Sequence, residues 1–175
     1  MRLPLPGVLS RVFCVGLLAI GVAAHAQTAA DYAKELVGTW KLVGAEQRLK
    51  DGTTRPSPNY GPHQAGYMIY TEAGTMCSVT VKEDRPKWST PNAPTPDDLK
   101  SAWDGMGAYC ATYTVNAEEK SVTHHVQFDK SPNAAGTDRK RFFTMTGNRL
   151  VLKIAPTELG GNVVENTIIW ERAAK

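Results

Sequence analysis

The sequence has no marked excess of charge of either sign. Its formal net charge is +3 over 175 residues, and no dense run of lysine and arginine occurs in it. Surfaces that bind nucleic acid or anionic membranes normally carry a concentrated basic patch, so the charge pattern excludes both as expected partners. Glycine and proline, with 15 and 11 residues, are too few for a collagen-like or low-complexity chain.

Recognisable catalytic motifs are also missing. The chain contains no Gly-x-Ser-x-Gly, no phosphate-binding P-loop, no Gly-x-Gly-x-x-Gly and no His-Glu-x-x-His sequence. Two acidic pairs, Asp97-Asp98 and Glu118-Glu119, are accounted for by a helix N-terminus and a turn. The sequence therefore predicts no catalytic residue, no cofactor and no metal.

Long hydrophobic runs are scarce, and the longest lies at the N-terminus. Arg2 precedes a mostly apolar segment at residues 8–24, and Ala24-His25-Ala26 follows it. This order is typical of a secretory signal peptide, and one arginine interrupts the apolar segment, which is too short to span a membrane comfortably. We predict a signal peptide over residues 1–26 and a mature domain over residues 27–175 in the periplasm or outside the cell. An uncleaved membrane anchor is the alternative.

Cysteine is rare, with three residues in the chain. Cleavage after residue 26 removes Cys14 and leaves Cys77 and Cys110. Two cysteines in an oxidising compartment suggest one disulfide bond. The alternative is two buried free thiols, because cysteine is also a common small core residue.

Two segments carry helix signals. Residues 28–36 begin with Thr28 as a capping residue, and an aspartate follows three residues later. Residues 95–107 begin with a threonine cap followed by proline, and they continue with the apolar stripe that includes Leu99 and Trp103. We expect this inserted helix to lie with its stripe against an apolar surface at one end or side of the sheet.

The rest of the chain alternates between apolar and polar residues with a period of two, which is typical of strands. About eight strands are joined mostly by short turns, so we predict an all-β, antiparallel, up-and-down barrel. A barrel of this size either fills with side chains or keeps a small cavity. The predicted strands span residues 37–48, 66–71, 75–82, 109–115, 121–128, 138–145, 150–154 and 163–171.

An ordered set of short motifs carries a family resemblance. Gly38-Thr39-Trp40 opens the first strand directly after a short helix. The further motifs, in order, are Asp51-Gly52, Tyr60-Gly61-Pro62, Gly66-Tyr67-Met68-Ile69-Tyr70-Thr71, Gly74-Thr75-Met76, Gly107-Ala108-Tyr109, Thr112-Tyr113-Thr114-Val115, Val122-Thr123-His124-His125-Val126 and Ile169-Trp170-Glu171-Arg172. This set resembles the bacterial and fungal lipocalin-like domain family, within the lipocalin superfamily, from about residue 36 to residue 172.

The resemblance implies an eight-stranded barrel with a short N-terminal helix and one inserted helix. It also implies a small apolar molecule held in the barrel mouth, although the fold alone does not fix a function. In lipocalins the signature tryptophan closes the barrel floor and a late arginine covers its ring, so Trp40 and Arg172 are expected to pair. Such a cation–π contact is worth about 0.5–2 kcal/mol.

The neighbouring histidines His124 and His125 are the most conspicuous polar pair. Successive residues of a strand point to opposite faces, so the two rings do not chelate one metal together. A zinc site needs three or four converging ligands, and His63 is the only further histidine near the expected mouth. We expect one ring inside and one outside, with structural or ligand-orienting roles.

Arg141 is a cation in an otherwise apolar strand phase, which it shares with Phe143 and Met145. An unpaired buried charge is costly. Three outcomes are open: an ion pair with Glu46 inside the barrel, a bond to the anionic headgroup of a ligand, or a stem that packs while the head reaches water.

The leading hypothesis is an exported lipocalin-like protein that binds a small hydrophobic or amphipathic molecule. Aromatic side chains with a hydroxyl group suit the wall of such a pocket. The candidate ligand-binding residues are Tyr67, Tyr70, Tyr113, His124, His125, Arg141 and Phe143. One alternative is an isomerase, cyclase or hydratase that uses a histidine as acid or base and Arg141 or a tyrosine to stabilise an anion. Another is an envelope protein whose partner is a protein bound near the inserted helix.

Overall fold

The computed structural model describes residues 26–58, 61–159 and 162–174. Within these residues the chain forms nine strands, two α-helices and one 3-10 turn. In chain order they are α1 (Ala29–Leu36), β1 (Gly38–Leu49), β2 (Thr54–Pro56), β3 (Gln64–Tyr70), β4 (Thr75–Lys82), α2 (Pro96–Asp104), β5 (Met106–Asn116), β6 (Ser121–Asp129), the 3-10 turn Pro132–Ala134, β7 (Asp138–Thr146), β8 (Arg149–Leu159) and β9 (Asn162–Arg172).

The strands form one closed antiparallel barrel. Neighbours in space follow the order of the chain from β3 to β9, and β1 pairs with both β3 and β9. Eight strands therefore close the cylinder, as predicted, and β1 has no free edge along its pairing with β9. The predicted signal peptide falls almost entirely on residues 1–25, which lie outside the described residues.

Strand β2 lies in a segment that the sequence predicts to be a loop. Its three residues pair with Glu46, Gln47 and Arg48 at the end of β1. The strand ends at Pro56, which has no N–H to donate, and a proline of this kind is tolerated at the margin of a sheet. So short a strand leaves too little alternation in the sequence to be recognised.

Helix α2 is shorter than predicted and lies differently. It is capped by Thr95 as expected, but it ends at Asp104, and Gly105 caps its C-terminus. Its apolar stripe does not lie against the sheet, because Leu99 and Trp103 are 52% and 50% exposed. The prediction of a packed inserted helix is therefore wrong, although the helix itself is present.

Helix α1 closes one end of the barrel, which we call the closed end. Leu36 and Trp40 are fully buried there, and the Trp40 Nε1–H donates to the Leu36 carbonyl at 2.8 Å. The guanidinium of Arg172 lies 4.3 Å from the centre of the Trp40 ring. It also donates to the carbonyls of Val37 at 2.8 Å and Glu35 at 2.7 Å. The expected Trp40–Arg172 contact is thus present and is tied to the end of α1.

Gly38 shows why the Gly-x-Trp motif begins with glycine. Its φ is +132°, a backbone conformation that side chains disfavour, and a Cβ there would lie 2.5 Å from Arg172 Nη1. The absence of a side chain lets the guanidinium approach the backbone that leads into β1.

A disulfide bond joins Cys77 and Cys110, as the cysteine count suggests. The two residues are register partners on β4 and β5, so the bond crosses directly between neighbouring strands. Their separation of 33 residues corresponds to a stabilisation of about 4 kcal/mol in the chain-entropy treatment.

A bulge in β6 reverses the predicted alternation. Cys110 pairs with Phe128, but the next residue, Ala111, pairs with Val126, so Gln127 has no partner in the register. Phe128, which shares the phase of Val126 in the sequence, is 70% exposed, whereas Val126 is buried. The bulge turns Asp129 towards the barrel interior in place of Phe128.

Candidate functional site

The barrel encloses a cavity of about 580 Å³ at the end away from α1. This volume lies within the range of small-molecule sites. The wall combines apolar and polar residues from strands on all sides of the barrel. The main apolar lining residues are Leu42, Met68, Leu152, Ile154 and Ile168.

Two buried polar atoms of the cavity-lining residues have no hydrogen-bond partner in the described part of the chain: Gln64 Oε1 and Trp170 Nε1. The Gln64 amide is oriented by its nitrogen, which donates to the carbonyls of Ala45 and Gly61 at 3.1 Å each. Its oxygen is therefore an unmet acceptor, while the Trp170 indole N–H is an unmet donor. Buried polar groups are normally paired, so both atoms keep a hydrogen-bonding capacity that the described residues do not use.

Arg141 contributes a positive charge to the cavity wall. Burial lowers the pKa of its guanidinium, but arginine remains cationic at neutral pH. Its Nη1 donates to the Lys140 carbonyl at 2.8 Å. Among the described residues no carboxylate lies within 4.0 Å of it. The ion pair with Glu46, one of the three outcomes left open by the sequence, is therefore not formed, although Glu46 also lines the cavity.

Arg139, two residues earlier on the same face of β7, is paired. Its Nη2 lies 2.7 Å from a carboxylate oxygen of Asp129, the residue that the β6 bulge turns inward. Its guanidinium also stacks over the Tyr109 ring at 4.5 Å. The charge of Arg139 is thus balanced within the protein.

His124 lies beside the cavity between two tyrosines. Its Nε2 is 2.6 Å from the Tyr70 hydroxyl, and its Nδ1 is 2.8 Å from the Tyr109 hydroxyl. Burial, and after it the positive charges of Arg141 and Arg139, lowers the pKa of His124 to about 3. The ring is therefore neutral at physiological pH.

The hydrogen-bond directions in this cluster follow from the burial of Tyr70. Its hydroxyl is fully enclosed, burial raises its pKa, and within the described residues His124 is its hydrogen-bond partner. Tyr70 therefore donates to Nε2, which leaves the proton of the neutral ring on Nδ1 to be donated to Tyr109. His124 thus holds Tyr109, a cavity-lining residue, in place. A ring that is neutral and bonded at both nitrogens is poorly suited to acid–base catalysis near pH 7.

The predicted ligand-binding residues other than Arg141 lie in three places: a cluster around His124, a contact with α1, and the outer surface of the barrel. Tyr70, Tyr113 and His124 form a buried cluster, in which the Tyr113 hydroxyl donates to the Thr71 carbonyl at 3.1 Å. Phe143 packs edge-on against Tyr32 of α1, with ring centres 5.2 Å apart. None of these four predicted residues is among the cavity-lining residues, whereas Arg141 is.

Tyr67 and His125 lie on the outer surface of the barrel. Tyr67 is 51% exposed because it alternates with Met68 and Tyr70, which take the inward positions of β3. The His125 ring bonds to Thr114 Oγ1 at 3.0 Å and to Asp138 at 2.8 Å on that surface. One histidine inside and one outside is the expected arrangement, but neither Tyr67 nor His125 faces the cavity.

Five polar residues of the site described above are absent from the predicted set: Gln64, Tyr109, Asp129, Arg139 and Trp170. Tyr109 and Trp170 did have a sequence signal, because each falls in phase with inward-facing neighbours of its strand. Asp129 had none, since its orientation depends on the bulge. Across the described ranges, no group of three or more histidine, cysteine, aspartate or glutamate side chains is placed to hold a metal ion.

The cavity, the closed end and the strand order can be compared with known proteins. A family model described as a lipocalin-like domain matches residues 37–173, which include every strand of the barrel. The chain belongs to the lipocalin-like domain family. The resemblance drawn from the Gly38-x-Trp40 motif and the motifs after it is therefore confirmed.

Two solved structures are similar to this lipocalin-like chain. A lipocalin-like protein from Bacteroides uniformis is 11% identical, with a TM-score of 0.42, and the match covers 79% of this chain and 99% of that one. An uncharacterized protein from Bacteroides eggerthii is 10% identical, with a TM-score of 0.40 and the same coverage. No curated protein matches the lipocalin-like chain.

Proposed function

We propose that this lipocalin-like protein is exported and binds a small, partly apolar molecule inside its barrel. The observation that carries the proposal is the cavity of about 580 Å³, whose lining residues include two with buried polar atoms that have no partner in the part of the chain that the structure describes. Small-molecule sites combine apolar side chains with polar groups that fix the orientation of the ligand, and the wall of this cavity contains both kinds of residue.

Binding inside the barrel is tested with two variants of adjacent isoleucines on β9. Ile168 lines the cavity, whereas Ile169 is not among the lining residues and alternates with it along the strand. Ile168→Trp fills the cavity, and it is expected to weaken binding of the neutral fluorescent probe N-phenyl-1-naphthylamine by about tenfold or more, the loss expected when apolar contact area is denied to a ligand. Ile169→Trp is the matched control and should bind as the native protein does.

The titration also has an outcome that rejects the proposal. If the native protein does not bind this probe, or any small apolar compound in native mass spectrometry of a broad set, the binding role is refuted. Equal binding by both tryptophan variants would place the bound probe outside the cavity and would also refute it.

Export is supported by two independent features. Residues 1–26 have the charge and hydropathy order of a signal peptide. The Cys77–Cys110 bond fits an oxidising compartment, because structural disulfides are rare in the cytosol. Among the described helices, none is long and apolar enough to cross a membrane.

N-terminal sequencing of protein recovered from the periplasm or medium tests this part of the proposal. The expected first residue is Gln27, after cleavage that follows Ala26. A chain that still begins with Met1 would contradict cleavage at this site, whether or not the barrel binds a ligand.

A further inference from the structure

We propose that the ligand is an amphipathic anion, whose negative group binds Arg141 while its apolar part occupies the barrel. This inference rests on the proposed function, because it names the chemical class of the molecule held in the same cavity. It follows from the charges and the unmet donor of the cavity wall.

The comparison of Arg139 with Arg141 carries the argument. Both lie on the inward face of β7 and both line the cavity. Arg139 is paired with Asp129 at 2.7 Å, whereas Arg141 has no carboxylate within 4.0 Å in the described part of the chain. An unpaired guanidinium at a cavity wall lowers its free energy when an anion arrives, since charge-assisted bonds are among the strongest in proteins.

The remaining charged groups of the wall do not replace that anion. The carboxylate of Asp129 is already bound to Arg139. Lys130 donates to the carbonyl of Trp103 at 2.5 Å and lies 4.8 Å from the centre of its ring, so its ammonium is directed towards α2. Glu46 lines the cavity but is not within ion-pair distance of Arg141.

An unmet donor close to the cavity fits an acceptor-rich ligand. The Trp170 indole N–H is buried and has no acceptor among the described residues, and Trp170 is one of the residues that line the same cavity. Carboxylate, sulfonate and phosphate groups carry several acceptor atoms and no obligatory donor. Such a group satisfies guanidinium and indole N–H groups without leaving a new unpaired donor of its own.

The apolar lining residues indicate the chemistry of the part of the ligand that carries no charge. Leu42, Met68, Leu152, Ile154 and Ile168 offer no hydrogen-bonding side-chain atoms to the cavity. A small inorganic anion would leave this surface uncovered, so it would gain none of the free energy of apolar burial. The wall therefore favours an anion that carries an alkyl chain or an aromatic ring system.

The test uses two probes that share the same aromatic rings and differ by one charged group. These are 8-anilinonaphthalene-1-sulfonate and the neutral N-phenyl-1-naphthylamine, titrated by fluorescence into protein purified after expression of the full chain. Arg141→Met is expected to weaken the sulfonate probe about tenfold or more, as for a lost bond to a charged group, and to leave the neutral probe within about threefold. Arg149→Met removes the same charge from the exposed surface, where Arg149 lies near Glu171, and should change neither probe.

A second measurement on the native protein does not depend on any variant. Sodium decanoate and 1-decanol have equal chain lengths, and decanoate is expected to displace the neutral probe about tenfold more effectively. Equal displacement by the two compounds, or undiminished sulfonate binding by Arg141→Met, would overturn the anion assignment. Sulfonate binding that survives Ile168→Trp would overturn it as well, because the probe would then lie outside the barrel.

The two proposals fail in different ways. If the neutral probe binds and the charged group gives no advantage, the binding function stands and the anionic class is wrong. If neither probe binds the native protein, both proposals are refuted together.

Discussion

The two ends of the barrel use the same residue types in opposite ways. At the closed end, the indole of Trp40 donates to Leu36 and the guanidinium of Arg172 donates to two backbone carbonyls. At the cavity end, the buried indole N–H of Trp170 has no partner among the described residues, and Arg141 has no counter-ion there.

This difference separates stability from binding. Polar groups that are satisfied by their own chain hold the closed end together, and they have little left to offer a ligand. Groups left unsatisfied at the cavity cost stability in the free protein and are available for recognition. The closed end is therefore expected to control folding, and the cavity end is expected to control affinity.

The largest effect should come from breaking the closed end. Trp40→Ala removes a fully buried indole and its hydrogen bond, so we expect the free energy of unfolding to fall by about 3–5 kcal/mol. Chemical denaturation measures the change, and Trp88→Ala, at a partly exposed indole, is the control with a much smaller loss. Equal losses for the two variants would show that Trp40 does not close the barrel.

Lowering the pH is expected to reduce the free energy of unfolding through His124, which lies between Tyr70 and Tyr109. The pKa of His124 is lowered to about 3 in the folded protein, against 6.5 without burial, so the unfolded chain binds the proton more readily between these values. Stability is therefore lost as the pH falls through this window, by about 3 kcal/mol at pH 4.5.

Paired variants isolate this contribution from that of the carboxylates. His124→Gln should flatten the dependence of unfolding free energy on pH between about 6.5 and 4. His125→Gln makes the same substitution at the exposed neighbour and is the matched variant for comparison. If both variants keep the native slope, the buried neutral state of His124 is wrong.

The smallest expected effect is the difference in stability between variants of two arginines, Arg172 at the closed end and Arg141 at the cavity. Arg172→Met removes a cation–π contact and two bonds to backbone carbonyls, and should destabilise the protein by about 1–3 kcal/mol. Arg141→Met removes an unpaired buried cation, and should leave the ligand-free protein unchanged or more stable by about 1 kcal/mol. Losses of equal size in thermal unfolding would remove the distinction between the two ends.

Much of the barrel was predictable because alternation and turns are local signals. They predicted the strand order and the opposite orientations of His124 and His125, whereas the position of Trp40 at the barrel floor was implied by the family resemblance. The short strand β2 and the exposed stripe of α2 were missed. Strand β2 has three residues, which are too few to show an alternating pattern. Whether the apolar stripe of α2 is packed depends on residues that are distant in the sequence.

The candidate site was predicted less well, because a site depends on where side chains meet. Arg141 was recognised as a cation in an apolar phase. Tyr70, Tyr113 and Phe143 were predicted to bind the ligand and belong to the packed core or lie against it, because no local pattern distinguishes a core position from a cavity wall. The partner of Arg139 was hidden altogether, since Asp129 faces inward as a consequence of the β6 bulge.

That bulge has a consequence for how such a cavity changes over evolutionary time. Because Gln127 is the one extra residue, deleting its codon would restore regular alternation and would leave Phe128 opposite Cys110 and Asp129 opposite Tyr109. Arg139 would then keep its counter-ion. In a lineage of such barrels, the gain or loss of one residue within a strand can therefore be absorbed at a bulge while the residues that line the interior stay the same.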